Sequence, residues 1–253
     1  MTDALDHDWF CERTEGEIDR LSWIADGANP ALGVPSCPGW TMAKLVKHTG
    51  IVHRWATQIV KTRASSRIDQ RSLEIGLPAK ESDYAGWLAD GAVPLLAELR
   101  AAGPDTAVWA WGAKQTSGWW ARRMLHETMM HRVDAELATG TEPLVDPVAA
   151  ADGIDEFLVN LAALPRRAQL LAGLPDGGSL HLHATDSDGE WLIRFTGGGT
   201  EWSRGHEKAT TAVRGPVSSL LLFTYGRIPA GDSRLTVFGD ESLPATWQEK
   251  TAL

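Results

Sequence analysis

A chain of 253 residues, with a net charge of −9, 43% hydrophobic and 23% charged residues, is long enough for one large domain or two small ones with a proper core. Its acidic balance argues against a general nucleic-acid binder, which needs a basic face to displace phosphate counterions, and its ordinary hydrophobicity argues against wholesale disorder. Tryptophan is the anomaly, with 12 Trp against 2 Tyr and 5 Phe.

The N-terminal stretch MTDALDHDWFCERTEGEIDRL is acidic and amphipathic, without the basic and apolar regions of a secretory signal. The longest apolar runs, such as LLLF at 220–223, fall far short of the ~20 residues of a membrane helix. The expectation is a cytoplasmic protein, a monomer or homodimer, with no membrane and no nucleic-acid partner. Two cysteines, Cys11 and Cys37, make no disulfide framework and read as small buried apolar side chains.

Along the chain, Phe10, Leu21 and Ile24 recur at helical intervals between about Asp6 and Ala25. ADGANPALGVPSCPG breaks that pattern, and a second helix is predicted from Thr41 to about Ser65, with Leu45, Val46, Ile51, Val52, Trp55 and Ile59 on its apolar stripe. A third runs from Ser82, as N-cap, to about Ala102, and a fourth from Ser117 to about Thr139, stopped by Gly140. Asp146 to Leu164 reads as a further helix. After Pro165 the period changes: SLHLHATDSDGEWLIRF alternates apolar and polar residues around Asp188-Gly189, a hairpin signal. ATTAVRG and RLTVFGD are strand candidates, with the helical PVSSLLLFTYGR between them. These patterns predict a helical bundle over 1–165 and a small α+β domain over 166–253.

The chemistry-bearing stretch is RRMLHETMMHRVDAEL in the fourth helix. Glu127 and His131, four apart, lie about 40° apart around a helix, and Asp134 shares their face while His126 points elsewhere. This is not the zincin pattern HExxH, because Met130 stands where the second His would fall. A carboxylate and an imidazole one turn apart are half of a divalent metal site, and bundles complete such sites from another helix. His48, three residues after Leu45 on the core stripe of the second helix, is the possible third ligand, leaving an open position for catalysis. A surface ion pair is the commoner occurrence of such a Glu–His spacing, and Asp134 reads equally as an orienter of His131 or an exposed partner of Arg132.

VPSCPGWTMAKLVKHTGIVHRWA (34–56), WWARRMLHETMMHRVDAELATG (119–140), AADGIDEFL (150–158) and the C-terminal SLHLHATDSDGEWLIRF, GPVSSLLLFTYGR and LTVFGD together cover nearly the whole chain in order. In these segments the chain resembles the mycothiol-dependent maleylpyruvate isomerase family, related to the DinB-like metal-binding bundles. The resemblance implies a DinB-like four-helix bundle followed by a smaller α+β domain. It implies a zinc-like ion held by His48, Glu127 and His131, and mycothiol as a low-molecular-weight thiol cosubstrate. The implied activity is isomerisation of a small, maleylpyruvate-like substrate, or thiol S-transfer to one. It also implies an essential arginine from the C-terminal domain, for which Arg227 is the first candidate and Arg214 the second. Trp40 and Trp119, at the starts of the two ligand-bearing helices, are candidates for walling the metal and cofactor pocket, the plainer alternative being that the tryptophan rings wedge the bundle together. Two other readings compete: a non-catalytic small-molecule or metal-binding module with a lipid-carrier-like second domain, and a metal-dependent hydrolase using water in the open position.

Elsewhere the signals are bland. His181 and His183 alternate onto one face of a strand, where an exposed polar face is the commoner reading than a metal pair. DSDG at 186–189 is a turn without the rest of a calcium loop, no GxSxG occurs, and the glycines at 197–199 precede no phosphate-cradling helix.

Overall fold

The computed structural model describes residues 5–251 apart from 165–168, 170 and 198, and it mixes helices with one sheet. The chain divides into two compact units, 1–143 and 144–253. The boundary thus falls before the helix at 147–163 rather than at 165; Pro165 itself lies outside the described residues.

The first unit is helical: α1 (His7–Asp26), α2 (Met42–Lys61), α3 (Tyr84–Asp90), α4 (Ala92–Ala102) and α5 (Ser117–Ala138). Three starts are set by side-chain caps that satisfy orphan backbone donors: Asp6 accepts from the Trp9 N–H, Thr41 from Lys44 and Thr116 from Trp119. The expected third helix is interrupted at Gly91. Pro94 explains the break, since it has no N–H for the carbonyl four residues back and fits only the first turn of a new helix. α5 is buried around most of its circumference and packs against both α1 and α2, while α2 also packs against α3 and α4. At the α2–α3 contact Gly50 lets Trp87 approach: a Cβ on Gly50 would stand 2.2 Å from the indole. Arg54 stacks 3.8 Å over the same ring.

The tryptophan excess has a structural location. Trp55, Trp109 and Trp120 form a mutually packed set with ring centroids 5.3–6.4 Å apart, and Trp119 joins it through Trp120 at 5.0 Å and Trp111 at 4.8 Å. These rings wedge α2, α5 and the segment preceding α5 together.

The second unit carries α6 (Pro147–Ala163), capped by Asp146, then β1 (Ser179–Ala184), β2 (Glu190–Thr196), β3 (Gly199–Arg204), β4 (Thr211–Gly215), α7 (Val217–Thr224), β5 (Thr236–Gly239) and α8 (Leu243–Thr251). The strand order is β3-β2-β1-β4-β5, with β1 and β4 parallel and the other neighbours antiparallel. Leu180 and Leu182 of β1, Trp191, Ile193 and Phe195 of β2, and Val213 of β4 are fully buried; α6 packs on α7 and β3, and α7 on β1 and β4. Asp155 of α6 accepts from the Trp191 indole at 2.8 Å and from Arg204 at 2.7 and 2.9 Å, which fastens that helix to the sheet and explains why it belongs to this unit. β3 and α8 are additions to the predicted elements: β3, GTEWSR, is a short polar edge strand with no alternating apolar signal.

Candidate metal centre

α2 and α5 run side by side, and their facing turns bring together the three residues that helical geometry selected. His48 Nε2 lies 2.9 Å from Glu127 Oε1, and His131 Nε2 lies 3.3 Å from the same oxygen. One donor atom from each of His48, Glu127 and His131 lies within 4.8 Å of the other two, which fits two imidazoles and a carboxylate around one divalent ion. The group is sheltered but not sealed: the side chains of His48, Glu127 and His131 keep 39%, 21% and 12% of their exposure, so the opening lies on the His48 side.

The ligand ring of His131 is held from behind. Its Nδ1–H donates to Asp134 Oδ2 at 3.0 Å, which directs Nε2 toward Glu127. Asp134 is fully buried and also accepts from Ser36 Oγ at 2.7 Å and Cys37 Sγ at 3.3 Å. It is therefore not an exposed partner of Arg132, whose guanidinium instead binds Glu17 and Glu136. Nor is Cys37 a buried apolar filler: its thiol faces Asp134 and belongs, with His131 and Asp134, to an overlapping donor set. Cys11 is fully buried, and burial pushes its thiol up to about 11.

Glu127 is fixed from its other side by Arg123, one turn back on α5, at 3.0 Å. Burial alone would raise the Glu127 carboxyl, but the hydrogen bonds from His131 and His48 and the Arg123 charge hold it well below the carboxylate range, so it stays anionic. Burial would likewise lower His131, and the hydrogen bonds with Asp134, Cys37 and Glu127 outweigh it. Trp40, in the turn before α2, lies 4.9 Å from the His48 ring and 5.9 Å from the His131 ring, nearly parallel to the latter. His53, five residues after His48, faces away: it is fully buried, bonds Thr128 at 2.8 Å, and burial pushes it down to about 3.

Of the other residues singled out, Trp119 packs into the tryptophan set with Trp111 and Trp120. Arg214 is exposed on β4, and Arg227, just after α7, donates to the Tyr225 carbonyl at 2.7 Å; both belong to the second unit. Ser36, Cys37 and Arg123 escaped the sequence reading. Arg123 had a usable signal, its i,i+4 spacing to Glu127, whereas Ser36 and Cys37 lie in an irregular loop whose path periodicity does not describe.

Two family models match the chain, the mycothiol maleylpyruvate isomerase N-terminal domain over residues 12–136 and the MDMPI C-terminal domain over 149–246. Among solved structures, the mycothiol-dependent maleylpyruvate isomerase matches at 13% identity with a TM-score of 0.63, covering 92% of this chain and 93% of that one. A histidine-to-alanine mutant of that enzyme matches at 12% identity with the same TM-score and coverage. No curated protein sequence matches the chain. At these identities the structural likeness speaks to the fold alone.

Proposed function

This chain belongs to the mycothiol maleylpyruvate isomerase family, and from that premise we propose that it is a metal-dependent, thiol-using isomerase, or a close thiol S-transferase, of small activated substrates. The observation that carries the reading is the convergence of His48, Glu127 and His131 from two helices, with Asp134 behind His131.

In this reading His48 Nε2, a Glu127 oxygen and His131 Nε2 hold a divalent ion, zinc being the best match to two imidazoles and a carboxylate with an open position. A bound ion and a thiol cosubstrate such as mycothiol would supply a thiolate at neutral pH, which can add reversibly to an activated double bond and so permit cis–trans rotation. The remaining work falls to the protein. Asp134 fixes the tautomer of His131 by accepting its Nδ1 proton, and Arg123 fixes the rotamer of Glu127. Trp40 covers the two imidazole rings and keeps water from that side. Arg227, with Arg214 second, is the proposed binder of a substrate carboxylate, for which a guanidinium offers a bidentate match. The first unit is proposed to be a DinB-like four-helix bundle in which α3 and α4 together make the third helix.

The test is metal analysis of the purified chain combined with an assay of maleylpyruvate isomerisation with and without mycothiol. The expected result is activity that requires both the ion and the thiol and is lost in His48→Ala and His131→Ala. Metal-dependent isomerisation that ignores the thiol would refute the thiol mechanism, a hydrolysis product in place of the isomer would favour the hydrolase reading, and a chain that binds no ion would refute the enzyme reading at its core.

A further inference from the structure

A second convergence of metal-type donors lies in the sheet of the other unit. His181 and His183 alternate onto one face of β1, and Glu190, which opens β2, stands directly opposite His183 in the antiparallel register. That face is opposite the one carrying Leu180, Leu182 and Trp191. His206 arrives from the chain leaving β3, where Gly205 takes φ +138°, a conformation that L side chains rarely adopt, and turns the backbone back toward β2. The Glu190 carboxylate sits at the centre: its oxygens are 3.0 Å from His183 Nδ1, 2.8 Å from His206 Nδ1 and 3.3 Å from His181 Nε2. The three rings face one another edge-on, with centroids 5.4–5.9 Å apart.

Two observations separate this group from an ordinary polar strand face. His181 is buried, with 5% of its side chain exposed, and its Nε2 stands 3.3 Å from the Glu190 oxygen without making a well-aligned hydrogen bond. A buried nitrogen satisfied this poorly costs stability unless something better engages it. Secondly, all four residues offer a ligand atom within 4.8 Å of the others. The corresponding edge of a tetrahedral zinc site with bonds near 2.1 Å is about 3.4 Å, so rotamer adjustments suffice to close the set. Three imidazoles and one carboxylate suit a borderline divalent transition ion and suit calcium or magnesium poorly.

We propose that His181, His183, Glu190 and His206 form a second divalent-metal site, of the closed four-ligand zinc type, that clamps the β1–β2 hairpin to the chain leaving β3. Its role is structural, because four protein ligands leave no position for substrate. It is independent of the proposed centre between α2 and α5.

The experiment uses the tag-free full-length chain carrying His48→Ala and His131→Ala, which removes two donors of the first centre. After treatment with chelator, zinc is titrated against a chromophoric competitor. The expected result is one equivalent bound with an affinity that falls at least ~30-fold when His183→Ala and His206→Ala are added. Both of these side chains retain exposure, 27% and 75%, so the substitutions leave the core intact, which circular dichroism checks. Zinc should also raise the melting temperature of the first variant by about 5 °C or more, a shift that His206→Ala alone removes. A His48→Ala/His131→Ala protein that binds no zinc at micromolar concentration overturns the proposal, as does a stoichiometry unchanged by losing His183 and His206. A wild type that takes up one ion, lost with His48 and His131, would overturn this second site while sustaining the first.

Discussion

Replacing Asp134 by Asn isolates the charge behind His131 with little disturbance of shape. Oδ2 accepts from both His131 and Cys37, and Oδ1 accepts from the Ser36 hydroxyl. An asparagine with its carbonyl at the Oδ2 position keeps the first two bonds, and its NH2 can donate to Ser36, whose hydroxyl rotates to accept. What disappears is the negative charge. A charge-assisted hydrogen bond contributes roughly 1.5–3 kcal/mol and a neutral one about 1 kcal/mol, so the difference felt by His131 is about 1.5 kcal/mol. That weakens the ligand about tenfold, at the lower end of the 10–100-fold range typical of groups that orient metal-bound histidines. Zinc affinity of Asp134→Asn should be measured by chelator competition in the His183→Ala/His206→Ala background, with urea unfolding as the folding control. Ser36→Ala, which keeps the charge, should shift the same affinity less than about threefold. A folded Asp134→Asn protein within threefold of the parent affinity would refute the assignment of Asp134 as the positioning residue of His131.

Removing the ring that covers the ligand histidines, Trp40→Ala, should cost about 2 kcal/mol in urea unfolding, half the loss typical of a fully buried tryptophan, while Trp40→Phe should cost less. At the α2–α3 contact, Gly50→Ala drives a methyl into the Trp87 indole, and overpacking of this kind should lower stability by about 1–3 kcal/mol, seen as a reduced melting temperature. Arg132→Met leaves Glu136, only 4% exposed, with Arg20 as its remaining ion pair, and should destabilise the first unit by about 3 kcal/mol in denaturant titration; a loss under 1 kcal/mol would show that the buried network contributes no net stability.

Repetition along the chain made most of the fold legible. Helix starts carry explicit caps in Asp6, Thr41, Thr116 and Asp146, and the His-Leu alternation of β1 announces a strand. The same local rules placed Glu127, His131 and Asp134 on one face, since residues four and seven apart must share a side of any helix. His48, on the apolar stripe of α2, read only as a possible third partner of that pair. The elements that escaped were the polar edge strand β3, the short C-terminal helix α8, and the break at Gly91, although Pro94 signalled the last.

Only the tertiary structure decided what each residue meets. Whether His48 touches Glu127 depends on the relative rotation of α2 and α5, and so on packing between the helices, to which Trp55 against Trp120 belongs, rather than on either helix alone. The loop residues Ser36 and Cys37 reach Asp134 across nearly a hundred positions of sequence, a contact that carries no local signature. Likewise His181 and His183 looked like a solvent face until strand pairing set Glu190 against them and the turn at Gly205 returned His206 to the same point. The sequence determined which side chains share a face because backbone geometry is local. Burial, partner and charge state were decided by the fold because packing brings together residues from anywhere in the chain.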